Sequence, residues 1–144
     1  MRIDGEWALF DDGVERPIIA GDIQAGNEAW IKVPFLVDTG ADRTVFSAAT
    51  LARLGLQPLV AQDSISGLGG LAVSVLVTTQ LRLTHEDAGK VVFRGQYAAV
   101  TVLEALDISV LGRDVMDLFA VIVDKPRNVV CLLGQRHRYM IEQD

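Results

Sequence analysis

One aspartate stands in an unusual setting in this sequence. The apolar run Phe35-Leu36-Val37 leads directly into Asp38-Thr39-Gly40, and the apolar pattern resumes at Val45-Phe46. A carboxylate at the end of a buried strand is unfavourable unless hydrogen bonds satisfy it or a reaction uses it. Asp38 could have a structural role in the turn, in which it bonds a nearby backbone N–H while Gly40 supplies a positive φ. Alternatively, Asp38 could take part in a chemical reaction.

The other residue types that carry chemistry are sparse and scattered. The two histidines, His85 and His137, and the single cysteine, Cys131, lie too far apart for the ligand spacing of a zinc site. The glycines near position 68 lack the G-x-G-x-x-G spacing of a dinucleotide loop, and there is no phosphate-binding loop. We therefore expect no metal and no cofactor.

Short runs rich in Val, Ile, Leu and Thr predict a mainly β chain. Residues 16–23 and 29–38 form two such runs, joined by a Gly and Asn loop that favours a hairpin. Residues 47–56 differ, because Ser47 can cap a short helix and Gly55 suits its left-handed C-terminal position.

The second half of the chain repeats this alternation of strands and turns. Residues 59–83 predict a long hairpin with a glycine-rich tip at 66–70, and residues 90–103 predict one or two further strands. The stretch 108–124 starts as a strand and turns helical near Arg113, and the turn at 124–128 leads into a final buried strand around Cys131. Gly40 and Gly112, which are 112 − 40 = 72 residues apart, each follow an apolar strand, a weak sign of two similar halves.

Composition limits the partners that the chain can have. Its 144 residues, half of them apolar, suit one domain, and no linker or low-complexity stretch divides it. A net charge of −6 with scattered basic residues disfavours nucleic acid or an anionic membrane as partner. Without an apolar leader or a membrane-length segment, we expect a cytoplasmic protein, although a fragment of a longer chain would carry no such information.

Taken together, the motifs resemble those of the retropepsins, the single-domain aspartic proteases of retroviral type with cellular and bacterial relatives. The resemblance rests on "FLVDTGADRTVF" at 35–46, "SGLGG" at 66–70 and "VLGRDVM" at 110–116, which occur in the family's order. It implies a mainly β domain with two short helices, which is half of a bilobed pepsin-type architecture, closed as a homodimer. The matched domain spans residues 16–134, between an N-terminal extension, 1–15, and a C-terminal tail, 135–144.

The resemblance also implies roles for individual residues. Asp38 would be the catalytic carboxylate, Thr39 would tie two active-site loops together, and Gly40 would let the backbone pass close to substrate. Gly112 and Arg113 would support the site, with Arg113 paired to Asp42. The expected contacts to substrate are at the loop after the glycine and at the hairpin tip: Ala41, Asp42, Ser66, Gly67, Leu68 and Gly69. Apolar pockets would be formed by Val45, Leu68, Leu71 and Val110.

A single Asp-Thr-Gly is insufficient for peptide hydrolysis by this chemistry. One carboxylate must deprotonate a water while a second, protonated one polarises the scissile carbonyl. The chain has one such motif, so the second Asp38 is expected from another copy, on the axis of a symmetric dimer. Trp7, Leu9 and Phe10 would pack at that interface or cover a sheet edge.

Two functional interpretations follow. The first is an aspartic endopeptidase that cleaves peptide or protein substrates as a homodimer. The alternative is a catalytically silent relative that serves as a dimerisation or peptide-binding module. The flap-like glycines and Arg113, retained together with the Asp-Thr-Gly motif, favour the enzyme, because a binding module has no need of a like-charge pair that costs stability.

Overall fold

The described part of the chain is built from β-strands with two short helices. The computed structural model describes residues 1–59, 64–67 and 70–134, and of residues 64–67 and 70–73 it describes the backbone alone. The strands in these residues are β1 (Arg2–Asp4), β2 (Glu6–Leu9), β3 (Glu15–Gln24), β4 (Trp30–Val37), β5 (Val45–Phe46), β6 (Ser64–Gly67), β7 (Gly70–Thr84), β8 (Lys90–Val100), β9 (Ser109–Leu111), β10 (Ala120–Asp124) and β11 (Val129–Leu133). The helices are α1 (Ala48–Leu54) and α2 (Arg113–Met116), with a 3-10 turn at Leu103–Ala105.

The structure contains the β3–β4 hairpin and the helix α1 that local sequence signals predict. The hairpin of β3 and β4 pairs from Ile18 opposite Leu36 to Gln24 opposite Trp30. Helix α1 begins after Ser47, whose side chain accepts a hydrogen bond from the backbone N–H of Thr50, and it ends at Gly55 with φ of 57°. The cap and the glycine therefore set the length of α1, as the sequence predicts.

Most strands belong to one sheet that closes on itself. Its order is β2-β3-β4-β9-β5-β8-β7-β6, and β3 also pairs with β7 through Asp22 with Arg82 and Ile23 with Leu81. This extra pairing joins β3, β4, β9, β5, β8 and β7 in a ring around the main core. The largest fully buried side chains of that core include Phe35, Phe46, Ile19, Ile23, Leu81, Leu83 and Leu111.

The pairing of β4 with β9 matters most for the candidate site. These two strands are parallel, with Phe35 opposite Ser109 and Val37 opposite Leu111, so their C-terminal ends lie side by side. The backbone N–H of Asp38 donates to the carbonyl of Leu111 at 3.3 Å. Two loops that are far apart in sequence, one after Val37 and one after Leu111, therefore leave the sheet at the same place.

A second sheet pairs the first strand with the last two strands of the described residues. Its order is β1-β11-β10, and Cys131 lies buried in its central strand. Strand β2 pairs along β3, and Trp7 of β2 packs against the main core and donates from its ring N–H to the carbonyl of Val129 at 3.3 Å. Both strands of the N-terminal segment 1–15 are thus hydrogen bonded into the sheets. Neither helix in the described residues has the length and apolar character needed to cross a bilayer.

The turn between β7 and β8 holds β1 in place. The N–H of Glu86 donates to the carbonyl of Arg2 at 2.9 Å, and the N–H of Arg2 donates to the Glu86 carboxylate. The hydrogen bond from the Arg2 N–H holds the pKa of Glu86 below its ordinary value of 4.5, and a bond from the backbone N–H of Glu86 itself has a smaller effect in the same direction. A carboxylate with a lowered pKa in the folded state stabilises the fold above its unfolded pKa, and the contribution is lost as the pH falls through the folded value.

We predict that Glu86→Gln lowers the melting temperature at pH 7, and that the difference from wild type narrows as the pH falls below about 4.5. Glu104→Gln is the control, because within the described residues the Glu104 carboxylate has no hydrogen-bond partner. Thermal melts from pH 7 to pH 3 test this. A Glu86→Gln deficit that is unchanged at pH 3 would show that the Glu86 charge is not its source.

Candidate active site

Asp38 is the first residue after β4 and lies at the place where the two loops leave the sheet. Its side chain is half-buried, while Thr39 and Gly40 are exposed. One carboxylate oxygen, Oδ1, accepts a hydrogen bond from the N–H of Gly40 at 3.0 Å, and the Asp38 carbonyl accepts one from Ala41 at 3.1 Å. The other carboxylate oxygen has no hydrogen-bond partner within the described residues. Asp38 thus shapes its own turn and still presents a free oxygen.

Gly112 allows the two loops to touch backbone to backbone. A Cβ atom at this position would lie 2.2 Å from the carbonyl carbon of Arg43 and 2.7 Å from the backbone nitrogen of Thr44. Real Cβ atoms do not approach backbone atoms so closely, so any other residue would push the loops apart. The resemblance implied a supporting role for Gly112, and the structure shows that its missing side chain permits this close backbone contact.

Asp114 makes the densest set of hydrogen bonds between the loops. Its carboxylate accepts from the N–H of Thr44 at 2.9 Å, from the Thr44 hydroxyl at 2.8 Å and from the N–H of Val115 at 2.9 Å. The Thr44 hydroxyl oxygen in turn accepts from the N–H of Gly112 at 3.1 Å. Thr44 is fully buried, so these are the bonds that satisfy its polar groups. Neither Asp114 nor Thr44 was predicted as a site residue, although Asp114 follows Gly112 and Arg113 in the stretch 110–116 that carries the resemblance.

Asp42 and Arg113 form the ion pair that the resemblance implied. Both side chains are largely exposed, at 78% and 49%. The backbones of the same segments are joined as well, because the N–H of Arg113 donates to Ala41 at 2.9 Å and that of Asp114 donates to Asp42 at 3.2 Å. Exposed ion pairs contribute little to stability, so the backbone bonds hold these segments more firmly than the charges do.

Buried hydroxyl groups fix the far end of the same loop. The N–H of Ser47 donates to the hydroxyl of Ser109 at 3.0 Å, and the hydroxyls of Thr50 and Ser109 lie 2.9 Å apart. Ser47, Thr50 and Ser109 are all buried. The N-terminus of α1 is therefore fastened to β9, which is the strand that pairs with β4.

Aromatic rings support the loop from below. Phe46 stacks on Tyr97, with ring centroids 5.4 Å apart, and packs against Phe35 at 6.2 Å. Burial raises the pKa of Tyr97 to about 12, and the negative charge of Asp114 adds a smaller effect in the same direction. Tyr97 is therefore neutral at neutral pH, and its hydroxyl donates to the carbonyl of Phe93 at 2.9 Å.

The glycine-rich hairpin is formed by β6 and β7. Gly67 pairs with Gly70 and Ser66 with Leu71, which confirms the predicted strands, whereas Leu68 and Gly69 lie outside the described residues. Val45 and Val110, which we expected to form open pockets, are only 7% and 6% exposed and lie opposite each other on β5 and β9. In the described chain they belong to the packed wall beneath the site.

The carboxylates nearest to Asp38 in this network are already engaged. Asp42 is paired with Arg113, and Asp114 is bonded to Thr44. Within the described residues, neither is a free partner that could share a proton with Asp38.

We predict that Asp114→Ala destabilises the protein by about 1–3 kcal/mol, because it leaves the N–H and hydroxyl of the buried Thr44 without their acceptor. Asp42→Ala is the matched control, since it removes a neighbouring carboxylate from an exposed pair and should cost less than about 1 kcal/mol. Asp114→Asn, which keeps one acceptor oxygen, should fall between the two. Urea unfolding measures all three, and equal losses for Asp114→Ala and Asp42→Ala would contradict the assignment.

Comparisons with known proteins agree with this geometry. The family model described as "Aspartyl protease" matches residues 23–136. A retropepsin-like aspartic protease from Rickettsia conorii has a similar structure, with a TM-score of 0.61 and 20% identity over 92% of this chain and 98% of that one. EIAV protease, solved with the inhibitor HBY-793, gives a TM-score of 0.51 and 22% identity over 71% of this chain and 86% of that one. No curated protein matches. The chain has a retropepsin-like fold and belongs to the aspartyl protease family.

Proposed function

We propose that this chain is an aspartic endopeptidase that acts as a homodimer, with Asp38 of each copy forming one catalytic pair. The observation that supports the proposal is the state of Asp38: a half-buried carboxylate with one oxygen bound to Gly40 and the other free, held on braced loops. A residue needed only for its turn would not require the loop to be fastened to α2 by Asp114 and by the close approach of Gly112.

The reaction follows from two carboxylates a few ångström apart. They share one proton, because both cannot be charged at that distance. The ionised Asp38 takes a proton from a water molecule, whose oxygen attacks the scissile carbonyl carbon, while the partner's Asp38 gives its proton to the carbonyl oxygen. When the tetrahedral intermediate collapses, the C–N bond breaks and the leaving amine takes the proton held by one carboxyl group. A hydroxyl group of the intermediate returns its proton to the other carboxylate as the carbonyl re-forms, so that the pair again holds one proton.

The surrounding residues would orient the pair and the substrate. The exposed Thr39 is free to bond across the two-fold axis, since its side chain makes no hydrogen bond within the described residues. Gly40, Ala41 and Asp42 would lie along the peptide, and the hairpin that contains Ser66, Gly67, Leu68 and Gly69 would close over it and exclude water. An extended peptide or protein segment is thus the proposed substrate, and the proposed location is the cytoplasm.

We predict that Asp38→Asn abolishes cleavage of a mixed peptide library at every pH from 3 to 8 and leaves the melting temperature and the dimer intact. The amide still accepts the bond from Gly40 and can still donate a hydrogen bond, but it cannot take a proton from water. Asp11→Asn, at an exposed turn position, is the control for loss of one carboxylate.

Peptide cleavage by mass spectrometry and light scattering for mass provide the readouts. Cleavage that persists in Asp38→Asn would contradict the proposal. A wild-type dimer that folds normally and cleaves no peptide at any pH would favour the silent binding module.

A further inference from the structure

An open cavity of about 330 Å³ lies apart from the Asp38 loop. It is bounded by the loop between β3 and β4, by Leu56 just beyond α1 and by the middle of β7 and β8. Strand β4 starts after that loop and ends next to Asp38, and its eight residues span roughly 26 Å. The cavity and the candidate active site are therefore at opposite ends of β4.

Gly95 leaves space open on the core-facing side of β8. It alternates along the strand with Phe93 and Tyr97, which both pack in the main core, so a side chain at position 95 would point the same way. A Cβ atom there would nevertheless meet no atom within 4 Å, Gly95 does not have a positive φ, and β7 pairs with β8 past it without a bulge. A glycine inside a strand also marks places where a ligand approaches closely, and that use fits Gly95.

Arg94 presents unpartnered N–H groups at the rim of this cavity. Its Nε donates to Oε1 of Gln80 at 3.1 Å, and Nε2 of Gln80 donates to Oε1 of Gln24 at 2.9 Å. This chain of hydrogen bonds crosses three strands and orients the guanidinium group from one side. Within the described residues its Nη atoms have no partner. A planar pair of N–H groups of this kind matches a carboxylate.

Glu28 adds the opposite charge to the same cavity. Its carboxylate makes no hydrogen bond or ion pair within the described residues, and in particular none with Arg94. Two opposite charges that line one cavity without pairing with each other are complementary to a ligand that carries both.

The loop that carries Glu28 is held against the end of α1. The N–H of Gly26 donates to the carbonyl of Leu54 at 2.8 Å, and a Cβ atom at Gly26 would lie 2.4 Å from the carbonyl oxygen of Gly55. The N–H of Glu28 itself donates to the carbonyl of Ala25 at 2.9 Å. The wall of the cavity is therefore formed before any ligand arrives, as is usual for small-molecule sites.

We propose that this cavity binds a small zwitterion with an apolar body, the chemistry shared by a free apolar amino acid and a dipeptide of such residues. Its carboxylate pairs with Arg94, its ammonium group pairs with Glu28, and its apolar side chain fills the space at Gly95 beside Ala25 and Leu56. The volume is at the lower end of the range for ligand pockets, about 300–1,000 Å³, which suits a small ligand. The inference goes beyond the proposed function and does not rest on it.

L-leucine and glycyl-L-leucine are the probes, each titrated into the wild-type chain and followed by the backbone amide NMR signals of Arg94 and Gly95. The probe that binds more tightly identifies the source of the zwitterion. Leucinamide lacks the carboxylate and N-acetyl-L-leucine lacks the ammonium group. Each should bind at least about tenfold more weakly than L-leucine, because it loses a charge-assisted hydrogen bond.

Charge variants assign each end of the ligand to its partner. Arg94→Gln should bind L-leucine and leucinamide equally, and Glu28→Gln should bind L-leucine and N-acetyl-L-leucine equally. Arg127→Gln and Glu104→Gln are the matched controls, because both residues are exposed and neither lines the cavity. Both controls should keep the full preference for L-leucine.

Gly95→Val tests the open space itself. The added side chain should fill the cavity and abolish binding, while the melting temperature stays the same or rises, because valine favours a strand and meets no atom there. Gly5→Val is the contrasting substitution, since its Cβ would lie 2.3 Å from the carbonyl oxygen of Ile18 and should lower the melting temperature.

Three results would overturn the inference. The first is the absence of shifts at Arg94 and Gly95 with both probes at millimolar concentration. The second is binding that survives Gly95→Val, or a preference for L-leucine over leucinamide that survives Arg94→Gln, because the ligand would then lie elsewhere. The third is a melting temperature lowered by Gly95→Val, which would show that the space is not open. None of these results bears on peptide cleavage, which Asp38→Asn tests.

Discussion

The contact between the Gly112 backbone and the backbone of Arg43 and Thr44 constrains the rest of the site. It is possible because position 112 carries no side chain, and a Cβ there would lie 2.2 Å from the carbonyl carbon of Arg43. Once the loops touch, the Thr44 hydroxyl reaches the N–H of Gly112, and the Asp114 carboxylate reaches both polar groups of Thr44. The loop that begins at Asp38 is therefore held at its other end, at Arg43 and Thr44.

This arrangement holds the half-buried Asp38 carboxylate in place while leaving one of its oxygens without a hydrogen-bond partner in the described residues. The parallel pairing of β4 with β9 brings Asp38 to the place where the two loops leave the sheet. One oxygen of its carboxylate accepts the hydrogen bond from the N–H of Gly40. The other carboxylates of the network, Asp42 and Asp114, have partners of their own. The free oxygen of Asp38 is thus available, and the proposed function assigns the second carboxylate to another copy of the chain.

Local signals in the sequence were sufficient for the β3–β4 hairpin, for α1 and for the hydrogen bond from Gly40 to Asp38, although Gly40 does not adopt the positive φ that the turn pattern suggested. Ser47 and Gly55 mark the ends of α1, and the Asp42–Arg113 pair followed from a family resemblance. The bonds between Asp114 and Thr44 were not predictable, because they join residues 70 positions apart and depend on the close approach at Gly112. The same holds for β1, whose place beside β11 is set by pairing across the length of the chain. Long-range pairing leaves little trace in a short stretch of sequence.

The central claim is that each copy of the chain gives one carboxylate to a shared pair. Mixing wild-type chain with Asp38→Asn chain, refolding them together at constant total concentration and measuring cleavage tests it most directly. If both carboxylates are needed, mixed dimers are silent and activity falls as the square of the wild-type fraction. Activity that falls in direct proportion to the wild-type fraction would show that one chain works alone, and it would contradict the account.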